Sequence, residues 1–264
     1  MNKLIISVLL IIITASIMAP FLSSYDPEDI RIDELRQPPS LSHPFGTDNK
    51  GRDIFSRVLY GGRISLSVAL LAALISMTIG ILVGMGSGYV GGKTDTVIML
   101  FVDFILSFPS LLLAIGISVI LPPGIYTVMI ALASVGWASF ARLIRGNVIV
   151  LKHAPFVDAA RAIGCTQRRI IFIHLFPQCV PLGIVMMGLK LGGYILTEAS
   201  LSFLGLGVQP PTPSWGSMVS AHRVYLISSP WMVVFPGLAI TVTSLCFNIL
   251  GDTVRDRYGI KIRG

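Results

Sequence analysis

Apolar positions in this chain come in long uninterrupted blocks, separated by shorter polar stretches, with neither strand alternation nor a single amphipathic period dominating. The first block is LIISVLLIIITASIMAPFL at 4–22, and five more follow near 64–86, 97–121, 125–146, 179–204 and 231–250. A hydrocarbon core ~30 Å thick needs about 20 residues of helix, so these blocks predict an all-α membrane protein with six transmembrane helices. No small-x-small cleavage site follows the first block cleanly, and it is long for a signal segment, so it is read as a retained span. Pro122-Pro123-Gly124 supplies a sharp turn between the third and fourth spans.

The polar stretches divide the chain. Residues 1–24 form an N-terminal transmembrane helix, and 25–63 a long loop ending in an amphipathic helix that leads into the second span. Residues 64–250 form a core that includes the polar segment 147–178, and 251–264 form a tail. Composition agrees with this division: 53% of residues are hydrophobic and only 12% charged, against roughly 25% charged in a soluble domain.

In such a chain a net charge of +7 is no sign of a nucleic-acid partner; surplus Lys and Arg mark the cytoplasmic loops. With the amino terminus inside, the inner segments hold Lys3, Lys93, Arg142, Arg145, Lys152, Arg161, Arg168, Arg169, Arg255, Arg257, Lys261 and Arg263. The outer ones hold Arg31, Arg36, Lys50, Arg52, Arg57, Arg63 and Arg223, and the basic residues of the first outer loop are offset by seven carboxylates, Asp26 to Asp53. The bias places both termini in the cytoplasm, with 147–178 inside and 23–63 and 205–230 outside.

Several chemistries find no footing. Cys165, Cys179 and Cys246 form no CxxC pair, His43, His153, His174 and His222 are far apart, and no GxxxxGK[ST], HExxH or GxSxG occurs. Gly86-Ser-Gly88-Tyr-Val-Gly91 matches GxGxxG, but it leaves a membrane span instead of opening a helix after a strand. Gly80, Gly84 and Gly88, and again Gly188 and Gly192, recur at four-residue spacing, which lets helix backbones approach closely in lipid. Asp103, Lys190 and Glu198 fall inside predicted spans, where each costs about 2.5–3.5 kcal/mol at the bilayer centre unless it faces protein or water. Lys190 falls near the midplane, Asp103 toward the inner surface and Glu198 toward the outer one; each is a candidate to line a pathway between the spans or to make a structural hydrogen bond.

The polar segment FVDAARAIGCTQRRIIFIHLFPQ, 156–178, carries two short helical patterns joined at a glycine. Pro155 suits a first helical turn, Asp158 complements the helix dipole, Ala159 and Ala160 are strong helix formers, and Gly164 stops the helix. Thr166 then caps a second helix from Gln167 to about His174. A small smooth helix fits a groove, with Arg161, Arg168 and Arg169 meeting an acidic partner; an interfacial linker on anionic lipid is the other reading of the same residues.

DAARAIG followed by RRIIFIHLFP resembles the cytoplasmic coupling loop of ABC importer permeases, with Asp158 in place of the usual Glu and Cys165 where a small Ala is common. HPFGTDNKGRDIFSRVLYGGRISL at 43–66, DFILSFPSLLLAI at 103–115 and EASLSFLGLGVQPPTPSWGSM at 198–218 resemble the dipeptide, oligopeptide and nickel branch of that family, in its GTD…GRD-type second permease. The resemblance implies a five-helix importer core plus one peripheral N-terminal helix in a bacterial inner membrane. It implies a heterodimer with a second permease, two ATP-binding subunits that bind ATP and Mg, and an extracytoplasmic substrate-binding protein. The chain itself would bind no cofactor and catalyse no reaction. Asp158, Ala159, Ala160, Arg161, Gly164, Arg168 and Arg169 would form the surface that meets the ATPase. Gly46, Asp48, Arg52, Asp53 and Trp215 would lie where the binding protein docks. Dipeptides or oligopeptides are the first expectation for cargo, nickel or a nickel chelate the second. A stand-alone secondary transporter or channel is the rival of another class, and it would need inverted repeats or a coupled-ion site.

Overall fold

The structure, a computed structural model, describes residues 2–257. The end of the expected tail, 258–264 with Lys261 and Arg263, lies outside the described residues.

The described chain contains helices and loops without a named strand. Helix α1 (Asn2–Ile17) and one turn, α2 (Ala19–Leu22), make up the first block, divided at Met18 just before Pro20. Helix α3 (Ile54–Val90) runs 37 residues, about 55 Å at ~1.5 Å per residue. Its first turns are the stretch expected as a separate amphipathic helix before the span; no break occurs there, because Arg57 and the Gly61-Gly62 pair are buried against the same loops and helices that cover the rest of α3. Gly91 ends it at φ +70°.

The expected third span is broken. Helix α4 (Gly92–Ser107) and helix α5 (Ser110–Ile120) meet at 92° across Phe108-Pro109, where proline forces the residue before it out of the helical region. Helix α6 (Ile125–Leu151) follows, then α7 (Pro155–Ala162). Next comes a continuous helical run: α8 (Gln167–Arg169), a π-helical segment Ile170–Leu175 and α9 (Phe176–Phe203). The second cytoplasmic helix is therefore not closed off near His174. Pro177 lies in the first turn of α9, and the wider π turns ahead of it carry the chain through without a stop. Helices α10 (Trp215–His222) and α11 (Trp231–Arg257) complete the fold. α11 continues past Gly251, so the expected tail begins as helix.

Among the described residues four helices are long and apolar enough to cross a membrane, α3, α6, α8–α9 and α11, or five if the bent α4–α5 pair counts as one. The expected count of six is not reproduced, since α1 is too short by itself and the third block bends.

α3, α6 and α9 form the centre, with Val68, Ala72, Ala131, Leu132 and Ile195 in its core. Gly80, Gly84 and Gly88 are where α3 meets α6: a Cβ at Gly80 would stand 2.3 Å from Phe140 Cβ, and one at Gly88 2.9 Å from the Arg145 carbonyl oxygen. Of the second glycine pair only Gly192 serves such a contact, against Asn248 and Ser244 of α11, while Gly188 faces open space. α1 lies on α3 with Ser16 against Gly62. Large apolar side chains such as Leu71, Leu82, Phe101 and Phe104 remain exposed on the outer helix faces, as expected of surfaces that meet lipid or further subunits.

Candidate functional site

Three groups of predicted residues lie at three levels along α3. At the Val90 end sits α7. Pro155 begins it, and it closes in a full glycine cap: the Gly164 N–H donates to the Arg161 carbonyl at 3.0 Å, and the Cys165 N–H to the Ala160 carbonyl at 3.0 Å, with Gly164 at φ +81°. Val157 and Ala160 are buried against Ile81, Ile144, Val148 and Leu175. Ala160 thus points into the protein and not to a partner, because the 3.6-residue period sets it on the same side as Val157. The outward face carries Asp158, Ala159, Ala162 and two residues that sequence reasoning passed over, Phe156 and Ile163, the latter 80% exposed. Two apolar side chains flanking a smooth alanine surface were the available signal. Arg161 donates to Asp158 at 3.0 Å, and Arg168 and Arg169 are exposed just beyond, with Thr166 accepting the Arg169 N–H at 3.4 Å.

Beside this end lies a clamp that the sequence did not signal. Arg145 of α6 grips Asp95 of α4 with two hydrogen bonds, 2.7 and 2.6 Å, and Ser87 of α3 donates to the same carboxylate at 2.5 Å. Lys152 donates to the Gly88 carbonyl at 3.0 Å.

At mid-span the three ionisable residues separate. Asp103 pairs with Arg142 of α6, both more than half exposed. Lys190 donates to Ser139 Oγ of α6 at 3.2 Å, so Asp103 and Lys190 each have a partner on α6 and not each other. Lys190 and Ser139 line an open cavity of about 330 Å³, with Tyr194, Thr197, Ser244 and Asn248 among its walls. Glu198 takes no part in it. Fully buried, it accepts the Ser202 hydroxyl at 2.8 Å, and Ser202 Oγ in turn receives the Val208 N–H at 3.4 Å, folding the next loop back onto α9.

At the Ile54 end the loop 23–53 covers the helix tips. Asp48 accepts the N–H groups of Lys50 and Arg52, at 2.7 and 3.1 Å, and the Arg52 guanidinium at 2.7 Å. His222 Nε2 of α10 stands 3.6 Å from the same carboxylate. Asp53 caps α3, accepting from the Ser56 N–H at 2.7 Å and its hydroxyl at 2.6 Å, while it meets His43 Nδ1 at 2.9 Å. Gly46, at φ +74°, lies so close to the Trp231 ring that a Cβ would stand 2.9 Å from it. Asp48, Arg52 and Asp53 are therefore buried in the loop platform, each bonded to other groups of the chain. Trp215 is likewise no surface anchor. It is 1% exposed, seated on Gly61 and Gly62, with its indole N–H donating to the Val58 carbonyl at 2.9 Å. What this end does present is a groove of about 500 Å³ walled by Asp26, Glu28, Tyr60, Arg63, Thr212 and Pro213.

Burial alone would push the Asp48 carboxyl up, but His222 beside it, the Arg52 charge and hydrogen bond, and the Lys50 N–H together hold it well below the usual carboxylate range. No group of three or more His, Cys, Asp or Glu side chains among the described residues is placed to hold a metal ion.

Comparison with known proteins places this architecture in a family. Residues 76–260 match the family described as binding-protein-dependent transport system inner membrane component. The chain belongs to that family. The permease is 44% identical over 256 residues to the glutathione transport system permease protein GsiD of Escherichia coli, covering 97% of this chain and 84% of that one. It is 41% identical over 248 residues to a Brucella suis protein that carries the name of a peptide transport system permease, covering 94% and 83%. Its fold matches a chain of the MetNI methionine ABC transporter with a TM-score of 0.59 at 18% identity, over 76% of this chain and 95% of that one. The permease is thus a multi-span, non-catalytic membrane subunit of a bacterial ABC importer in the inner membrane. It works with a partner permease, a substrate-binding protein and an ATPase that performs the hydrolysis.

Proposed function

We propose that this permease forms half of the translocation pathway for small peptides, paired in a heterodimer with a different permease and driven by two ATPase subunits. The names of the glutathione and peptide permeases it resembles support a peptide cargo. Both termini and α7 lie in the cytoplasm, and the loop 23–53 with α10 faces the binding protein. The groove of Asp26, Glu28, Tyr60 and Arg63 is the contact in place of the buried Asp48 and Arg52.

The observation that carries the reading is α7 itself. Its inner side is tied to α3, α6 and α9 through Val157 and Ala160, while Phe156, Asp158, Ala159 and Ile163 are left outward. A pull on that face reaches three core helices at once. ATP-driven closure of the ATPase pair would displace α7 and switch the spans between inward- and outward-open arrangements, the energy coming from different ATP affinity in the two states.

The test is uptake of labelled glutathione and dipeptide by the full complex, with Gly164→Trp in parallel. A side chain at φ +81° is strained, and it also alters the end of the face presented to the ATPase. Wild-type uptake that disappears in the variant, with membrane insertion and complex yield unchanged, is the expected result. Undiminished uptake by Gly164→Trp would remove α7 from the coupling role.

A further inference from the structure

Among the described residues Lys190 is the one charged side chain lining the mid-span cavity, and its hydrogen-bond partner, Ser139 Oγ at 3.2 Å, is neutral. The neighbouring charges already cancel, since Arg142 and Asp103 are paired with each other. An ammonium at this depth is costly unless it has an opposite charge or water to face, and no ion pair to it exists among the described residues. The surroundings are furnished for a ligand more than for a second salt bridge. Lys190, Gly193 and Thr197 share one face of α9 at three- and four-residue spacing, Gly193 has open space where a side chain would be, and the wall adds the Ser244 and Asn248 side chains. A volume of about 330 Å³ is at the lower end of the range for small-molecule pockets, and it exceeds what one intruding carboxylate side chain needs.

We infer that Lys190 is a cargo-binding residue of the pathway, taking a carboxylate of the passing peptide at mid-membrane while Ser139 holds the ammonium in position. The inference rests on the peptide-permease reading above and adds a chemical requirement to it: the cargo must carry a free carboxylate. Ser139 is a positioning residue, and Gly193 keeps the approach open.

The test uses the complete complex with its binding protein, and two cargo pairs: glutathione against its C-terminal amide, and trialanine against its C-terminal amide. The binding protein discriminates within each pair on its own account, so the quantity read is the acid-to-amide uptake ratio in each variant divided by that in wild type. Lys190→Gln is expected to lower this quotient about tenfold, the scale of one charge-assisted hydrogen bond, by slowing acid uptake and sparing the amide. Lys190→Arg should restore it. Gly193→Asp, which keeps the lysine and places a carboxylate beside it on the same face, should lower the quotient as Lys190→Gln does, and it stands as the second variant if Lys190→Gln assembles poorly.

Equal loss of acid and amide uptake in both lowering variants would overturn the inference, and would assign Lys190 to packing or to an acidic group of the partner permease. Unchanged uptake of all four cargoes would also overturn it, by taking Lys190 off the pathway. Wild-type complex that moves none of the four would remove the peptide-permease reading, and this inference with it.

Discussion

A side-chain carbon on Gly84 would stand 2.4 Å from the carbonyl oxygen of Ala141, so α3 and α6 meet there backbone to backbone. The obstacle is main chain, which cannot rotate away. Gly84→Ala is therefore expected to force the helices apart, costing about 1–3 kcal/mol and lowering the thermal midpoint of the detergent-solubilised complex. Gly86, two residues on, has nothing within 4 Å of the same position. There alanine is expected to be neutral or to stabilise by about 0.5–1 kcal/mol through helix propensity. Equal effects at the two sites would contradict the packing described for α3 and α6.

That contact was readable beforehand because the four-residue spacing of Gly80, Gly84 and Gly88 is itself a statement about one helix face. The apolar blocks were readable for a similar reason, but only as composition. A hydropathy window sums over Phe108-Pro109 without registering that the chain turns 92° there, and it counted a bent pair as one span. The burial of the outer loop was not legible because Asp48, Arg52 and Asp53 look like surface residues until their partners are known. Those partners are backbone N–H groups, a serine and two histidines, one of them, His222, far away in sequence. On α7 the sequence indicated the helix and its glycine stop, whereas which alanine faces inward depended on Ile81, Val148 and Leu175, residues of other elements.

Trp215 fills the space left by two adjacent glycines, with Cβ positions on Gly61 and Gly62 only 3.3 and 2.9 Å from its ring. Trp215→Ala would open a large cavity between α3 and α10, and about 3–5 kcal/mol of destabilisation is expected. Trp215→Phe retains most of the volume but leaves the Val58 carbonyl without its indole donor, for a smaller loss of about 1–3 kcal/mol. Denaturation of the two variants in one detergent should rank them in that order, with Phe nearer wild type.

The acid sensitivity of the loop platform follows from Asp48. Its carboxyl titrates below the usual range in the folded protein and near 3.9 in an unfolded chain. A lowered folded value contributes stability that is present above the unfolded value and is lost as pH falls from there toward the folded one. The protection of the Lys50 and Arg52 amides against hydrogen exchange, taken relative to the intrinsic rate at each pH, should thus stay high from pH 7 to about 5 and fall below about 4, since Asp48 holds both. Asp48→Asn leaves Arg52 and His222 buried without their anion, an expected loss of about 3–5 kcal/mol at neutral pH, and it should abolish this part of the acid dependence.

The Asp95–Arg145 clamp makes a prediction about how α7 is held. Arg145 is on α6 less than two turns before its end, Asp95 is in the first turn of α4, and Ser87 adds α3 to the same carboxylate. The bidentate geometry fixes the three helices at the level where Lys152, the residue that ends α6, is itself held to the Gly88 carbonyl. α7 begins three residues later, at Pro155, so its position is inherited from this junction. Both side chains are largely covered, Asp95 at 14% and Arg145 at 33% exposure, and the pair should therefore show a coupling energy of about 1–3 kcal/mol in a double-mutant cycle of Asp95→Asn and Arg145→Gln. Each single variant should also loosen α7, read as faster hydrogen exchange at the Val157 and Cys165 amides, which donate to the Ala154 and Ala160 carbonyls in the intact structure. The double variant should loosen it no further than the worse single. Additive destabilisation, with exchange in α7 untouched, would mean that α7 is positioned by Val157 and Ala160 in their apolar seat alone.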